Sequence, residues 1–284
     1  MPKYTFVTSF SDKLWKAYAS NTVPTVYRNL PDGIQFIVYF NGEFQEEWKL
    51  ALPEAEFRDL NAMSDYQFFR QKYKKTPLPN VEKGHQFRFN FLPFWNKVCA
   101  LQDAMVKGGR GKIYEDYLIW LDADLFSAEE ITEDDLERWI QGKDVASLTR
   151  SQPWNTWETG FLSFKMSDLT KSFVDDVYKL YTSGRLFDHN EWHDAYLFTV
   201  VWKEYKTKLS HNELNLVPSY GHCFDTSILP PSLCHLKGGE RKMTGKFFEH
   251  PKANAVLFAD FTGVRNVKED PVISVNSDGV KVHV

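Results

Sequence analysis

A run of five apolar residues followed directly by two carboxylates constrains the fold of this chain more than any other feature. The run is Tyr117–Leu121, and Asp122 and Asp124 come directly after it. Five apolar residues in succession predict a buried strand. Residues i and i+2 of an extended backbone project to the same face, so the two carboxylates repel each other unless positive charge lies nearby. The sequence leaves three options for that site: a metal ion, a basic side chain or water.

Strand-like segments alternate with helix-like segments along the chain, which predicts the fold class. The alternation indicates an α/β fold, a single Rossmann-type domain with a mostly parallel central sheet flanked by helices. Ligands of such sheets bind beyond the carboxyl ends of the strands. Strands are predicted at residues 4–8, 34–40, 117–121, 145–148 and 160–164. Helices are predicted at residues 12–19, 64–75, 95–106, 132–140, 168–181 and 192–205.

Composition and charge exclude several classes of protein. The chain has 284 residues, of which 43% are hydrophobic, enough for one large domain or two small ones. A net charge of −4 provides no global positive field for nucleic acid or an anionic membrane, although a local basic patch would still serve. The three cysteines have no metal-binding spacing and favour a reducing compartment. With no signal-peptide pattern and no apolar run long enough for a bilayer, we expect a cytoplasmic protein without a membrane span.

The acidic pair suits a hard divalent cation such as Mg²⁺ or Mn²⁺. By itself, Asp122-Ala123-Asp124 favours an acidic turn between a strand and a helix, because such turns are common. A phosphatase-like pair, whose first Asp is a nucleophile, usually lies on the first strand and precedes Gly-Thr. Here the pair lies in mid-chain and precedes Leu125-Phe126, which disfavours that class.

A downstream segment supplies groups that a metal-bound diphosphate needs. His235 is a suitable metal ligand, and Gly238-Gly239 lets backbone amides approach phosphate oxygens closely. The cationic side chains of the segment, which suit an anionic leaving group, are Lys237, Arg241 and Lys242. Taken alone, the segment is also compatible with a solvated basic loop.

Two further segments place a carboxylate close to aromatic residues. Glu158 follows Trp157, and Asp194 lies in a stretch rich in titratable groups where a helix begins. Aromatic faces with a nearby acceptor are a common way to hold polyhydroxylated ligands. The alternatives are a core Trp with a solvated Glu, and a helix start capped by Asn190.

Taken in order, these motifs resemble those of nucleotide-sugar-dependent glycosyltransferases with the GT-A fold. The motifs are "YTFVTSF", "IWLDADLF", "WETGFLSF", "EWHDAYLF" and "CHLKGGERK", and the resemblance covers about residues 4–246. The set also looks like a little-characterised bacterial and bacteriophage group with a C-terminal His-x-Lys-Gly motif. The resemblance implies a GT-A-like catalytic domain over residues 1–250, followed by a β-like extension over residues 251–284.

The resemblance also implies roles for individual residues. Asp122, Asp124 and His235 would bind Mn²⁺ or Mg²⁺. Asp194 is the first candidate for a general base on the acceptor hydroxyl and Glu158 the second, should the reaction invert configuration. Residues expected to bind the nucleotide sugar are Thr8, Tyr39, Arg88, Lys97, Lys237, Gly238, Gly239, Arg241 and Lys242.

The expected activity is metal-dependent transfer of a sugar from a UDP-linked donor to a hydroxyl acceptor. That acceptor is a saccharide or, alternatively, a hydroxymethylated base of bacteriophage DNA. A nucleotidyltransferase would share the architecture but should carry a Gly-rich loop after its first strand, where this chain has Thr8-Ser9-Phe10-Ser11. A non-catalytic carbohydrate-binding protein is the remaining alternative.

Overall fold

The computed structural model describes residues 3–107, 116–150, 155–216 and 223–236, together with two strands at 273–276 and 279–282. Strands and helices alternate through these residues, as the sequence pattern predicts. The strands of the described residues are β1 (Tyr4–Ser11), β2 (Gln35–Asn41), β3 (Glu56–Asp59), β4 (Tyr117–Leu121), β5 (Leu125–Phe126), β6 (Val145–Thr149), β7 (Trp157–Lys165), β8 (His211–Glu213), β9 (Cys234–His235), β10 (Ile273–Asn276) and β11 (Gly279–Val282). Their α-helices are α1 (Asp12–Leu14), α2 (Ser20–Asn29), α3 (Glu46–Ala51), α4 (Ser64–Tyr73), α5 (Phe91–Lys107), α6 (Glu133–Ile140), α7 (Asp168–Ser183) and α8 (Asp194–Tyr205).

Within the described residues, seven strands form one central sheet in the order β3-β2-β1-β4-β7-β6-β8. Strands β1 to β4 run parallel, β7 runs antiparallel to β4 and β6, and β8 pairs in parallel with β6. The sheet is therefore mostly parallel, which confirms the predicted fold class. Since β4 and β6 run in the same direction, their carboxyl ends lie at one edge, and the start of the antiparallel β7 lies there too.

Alternate residues of the central strands enter two separate cores. In β2, Phe36, Val38 and Phe40 pack with apolar residues of α2, α3 and α6, whereas Ile37 and Tyr39 pack on the opposite face with α4, α5, α7 and α8. Successive side chains of a strand point to opposite faces, so an entirely apolar strand needs cover on both. The continuous apolar runs of the sequence thus correspond to a sheet with helices on both faces.

Two helices are longer than the sequence pattern indicates. The helix predicted at residues 12–19 continues to Asn29 through a π-helical turn at Trp15–Ala19, and Ser11 caps its start. The helix predicted from residue 95 begins at Phe91, within an aromatic cluster whose periodicity is hard to assign. Pro93 lies in its first turn, where the missing amide hydrogen costs no helical hydrogen bond.

The C-terminal segment contributes a small, separate element. It contains an antiparallel pairing of β10 with β11. The predicted boundary near residue 250 lies outside the described residues. None of the described helices has the length and apolar character that crossing a membrane would require.

Candidate functional site

The two acidic residues lie where β4 ends, at the sheet edge shared with β6 and β7. The amide of Asp122 donates a hydrogen bond to the carbonyl of Gly160 at 2.8 Å, which continues the pairing of β4 with β7. The chain then enters β5, which pairs antiparallel with β9 through Leu125 and His235. This pairing brings His235 from a distant part of the chain to Asp124.

Asp124 and His235 form a buried pair. His235 Nε2 lies 3.1 Å from Asp124 Oδ1, and the amide of Leu236 donates to the Asp124 carbonyl at 3.0 Å. Asp124 is 7% exposed and His235 2%. On the other side of the loop, Thr22 Oγ1 of α2 donates to the Ala123 carbonyl at 2.5 Å. The acidic loop is therefore held between α2 and β9.

The cationic partner of Asp122 is Lys97 of α5. Lys97 Nζ lies 2.8 Å from Asp122 Oδ1 and 2.6 Å from Asp194 Oδ2. It also donates to the Thr159 carbonyl at 2.8 Å. One ammonium group thus joins the end of β4, strand β7 and the first turn of α8. Of the three options that the sequence left for Asp122, the structure shows a basic side chain.

Burial and ion pairing together set the protonation of this cluster. Burial opposes the charge of Lys97, but the charges of Asp122 and Asp194 outweigh burial and raise the Lys97 pKa. Burial likewise opposes ionisation of Asp194, but Lys97 outweighs it and lowers the Asp194 pKa. For Asp122, burial outweighs the attraction of Lys97, and its pKa is raised. Asp194 is therefore ionised and Lys97 charged at neutral pH.

A second ion pair lies beside the first, between Glu158 of β7 and Arg150 directly after β6. Arg150 donates to Glu158 Oε2 through Nε at 2.9 Å and through Nη2 at 2.5 Å. Gly160 lies next to this pair: a Cβ at that position would lie 3.6 Å from both Glu158 Oε1 and His235 Cε1. Glycine thus keeps a small space open between the Glu158 carboxylate and the Asp124–His235 pair.

A third group of polar side chains precedes α8. His193 Nε2 lies 2.7 Å from Glu191 Oε2, and Arg88 Nη1 lies 3.4 Å from Glu191 Oε1. Burial lowers the pKa of His193, so the imidazole is neutral at pH 7. Because a carboxylate only accepts hydrogen bonds, the ring proton resides on Nε2.

Several of these groups line a cavity of about 340 Å³. This volume lies at the low end of the range of about 300–1,000 Å³ for small-molecule sites. The charged residues that line the cavity are Asp122, Arg150, Glu158 and Asp194. Its uncharged lining consists of Phe87, Phe94, Thr159, His193 and Ala195.

The Asp124–His235 pair suits a divalent cation. Two donors bound side by side to one ion at about 2.1 Å lie about 3 Å apart, as Asp124 Oδ1 and His235 Nε2 do. Asp122 has other partners, since its Oδ1 accepts hydrogen bonds from Trp120 Nε1 at 2.8 Å and from Lys97. In the part of the chain that the structure describes, no three His, Cys, Asp or Glu side chains are grouped to hold a metal. Asp124 and His235 would therefore supply two ligands of a metal coordination shell that substrate or water completes.

Of the predicted site residues that it describes, the structure gathers most and places two elsewhere. The gathered residues are Arg88, Lys97, Asp122, Asp124, Glu158, Asp194 and His235. Thr8 and Tyr39 are buried within the sheet, and the Tyr39 hydroxyl donates to Asp103 Oδ2 at 2.8 Å. Lys237, Gly238, Gly239, Arg241 and Lys242 lie outside the described residues.

Sequence reasoning overlooked Arg150, His193 and Thr22. Arg150 had a usable signal, because it lies two residues after a predicted strand. His193 lies within a motif that was noted only for its neighbours. Thr22 had no signal, because its partner is a backbone carbonyl 101 residues further along the chain.

Solved structures with a similar fold are glycosyltransferases. The galactosyltransferase LgtC in complex with donor and acceptor sugar analogs aligns with a TM-score of 0.53 and 10% identity, over 93% of this chain and 98% of that one. An active-site mutant of LgtC aligns with a TM-score of 0.52 and 11% identity, over 93% and 98%. Mouse xyloside xylosyltransferase 1 in its apo form gives a TM-score of 0.49 and 12% identity, over 75% and 85%. Neither a protein-family model nor a curated protein matches the chain. The LgtC comparisons show that the chain has the fold of GT-A glycosyltransferases.

Proposed function

We propose that the chain is a glycosyltransferase that moves a sugar from a nucleoside-diphosphate donor, UDP-linked, to a hydroxyl acceptor. One observation carries the proposal. In a GT-A fold, three carboxylates and two cationic side chains converge on a cavity at the carboxyl edge of the sheet, beside the Asp124–His235 pair. This arrangement combines a site for a metal-bound diphosphate with a small polar cavity for a sugar.

Asp124 and His235 would hold Mn²⁺ or Mg²⁺, with Asp122 oriented towards the ion or the ribose. Such an ion stabilises the negative charge that develops on a leaving diphosphate. Lys237, Arg241 and Lys242 are proposed to add positive charge at the same phosphates, and the amides of Gly238-Gly239 to contact them.

The buried carboxylates of the cavity would act on the sugar. The anomeric carbon becomes positively charged as its bond to the diphosphate breaks. Asp194, ionised because Lys97 lowers its pKa, would stabilise that charge. The same low pKa makes Asp194 a weak general base, so we assign it the electrostatic role first. Glu158, held in place by Arg150, would accept hydrogen bonds from sugar hydroxyls.

The proposal is tested by the melting temperature in the presence of UDP, GDP, ADP and dTDP and their sugars, with Mn²⁺ or with EDTA. A ligand that binds only the folded state raises the melting temperature as its concentration exceeds its dissociation constant. We expect one nucleoside family to raise it in Mn²⁺ but not in EDTA, and Asp124→Ala to abolish the increase. Asp134→Ala, an exposed aspartate on α6, is the control and should respond like the wild type.

Turnover then tests transfer itself. Release of the nucleoside diphosphate from the bound donor is followed with saccharides and, separately, with DNA that contains hydroxymethylated cytosine as acceptors. Release that depends on an acceptor supports a transferase and identifies the acceptor class. Donor binding without turnover on any acceptor would support a carbohydrate-binding protein, and absence of binding by every nucleotide would refute the proposal.

A further inference from the structure

The charges around the cavity are not balanced. Three of the described residues that line it are carboxylates: Asp122, Glu158 and Asp194. Two cations contact them, Arg150 in the lining and Lys97 beneath it. These three carboxylates and the two cations that contact them therefore carry one more negative than positive charge.

Both cations already form ion pairs with these carboxylates. Lys97 Nζ contacts Asp122, Asp194 and both the carbonyl and the hydroxyl of Thr159, at 2.6–3.1 Å. Arg150 directs Nε and Nη2 to one oxygen of Glu158. A planar guanidinium fork of this kind is what proteins use to bind a carboxylate in a ligand. Here the guanidinium group of Arg150 already binds the carboxylate of Glu158.

We propose that the cavity receives the donor sugar and selects an uncharged hexose or pentose over a sugar that carries a carboxylate, with Glu158 as the specificity-determining residue. This inference rests on the proposed function. Hydroxyl groups of a neutral sugar can donate hydrogen bonds to the three carboxylates. A uronate would instead add a fourth negative charge at close range, where like charges repel strongly. The size of the cavity, about 340 Å³, suits one sugar ring.

The test uses three donors that differ only at C5 of the sugar: UDP-xylose, UDP-glucose and UDP-glucuronate. Their dissociation constants are measured by calorimetry with Mn²⁺, after the panel of free nucleoside diphosphates has identified the base. If another base binds, the corresponding neutral and acidic pair replaces them, such as GDP-mannose and GDP-mannuronate. We expect at least one neutral sugar to bind about tenfold or more tightly than the acidic one, because like charges at close range cost at least this factor. Including xylose separates the effect of charge from the effect of size at C5.

Glu158→Gln should reduce this preference to about threefold or less, because it removes one negative charge and frees Arg150 to bind the uronate. Glu204→Gln, which removes the same charge from the exposed side of α8, is the matched control and should leave the ratio unchanged. A wild-type protein that binds UDP-glucuronate as tightly as both neutral sugars would overturn the inference while leaving the glycosyltransferase proposal intact. The wild-type ratio decides this even if Glu158→Gln fails to fold. A protein that binds no nucleoside diphosphate would overturn both.

Discussion

At the scale of the single residue, Lys97 is a buried cation whose ammonium group neutralises Asp122 and Asp194. Removing one partner of a buried ion pair costs about 3–5 kcal/mol, because the other charge stays buried without compensation. We therefore expect Lys97→Met to lower the free energy of unfolding by about 3–5 kcal/mol in urea denaturation. Lys97→Arg keeps the charge and should lose less. Adding Asp194→Asn to Lys97→Met should recover part of the loss, and a Lys97→Met protein as stable as the wild type would contradict this account of the cluster.

At the scale of the element, α2 fixes the loop that carries the acidic pair. Thr25 Oγ1 accepts a hydrogen bond from the amide of Ser127 at 3.0 Å, and both residues are buried. Thr25→Val preserves the shape of the side chain but leaves that amide without its partner, which costs about 1–3 kcal/mol. We expect a loss of this size in urea denaturation, together with weaker Mn²⁺-dependent binding of the nucleotide. Ser172→Ala removes an exposed hydroxyl that donates to a carbonyl within α7 and should change stability by less than about 0.5 kcal/mol; equal losses in the two variants would refute the role of α2.

Elements were predictable from the sequence to the extent that their signals are local. The apolar run before Asp122 and the alternation of strands with helices indicate the sheet, and the position of Asp122 at a strand end indicates the edge where the site lies. The partners in the site were not predictable in the same way. Lys97 reaches Asp194 only because α5 and α8 pack on the same face of the sheet, and no local pattern encodes that contact. Tyr39, which the resemblance assigns to the nucleotide, shows the converse: the two-residue period of β2 directs its side chain into the core.

At the scale of the whole molecule, His193, which is buried, and His211, which is half-buried, link folding to pH. Burial lowers the pKa of His193 and of His211 below the ordinary value of about 6.5. At a pH between the folded and unfolded pKa values, the unfolded chain binds more protons than the folded one. The stabilisation that the two histidines contribute is therefore complete above about pH 6.5 and is lost as the pH falls through the folded pKa. The slope is at most about 1.4 kcal/mol per pH unit for each histidine.

We expect the free energy of unfolding to fall between pH 7.5 and 5.5, and to fall less in His211→Gln, which removes the imidazole that stacks on Trp157. His85→Gln, at an exposed position, should behave like the wild type, whereas an unchanged slope in His211→Gln would show that this histidine does not carry the linkage.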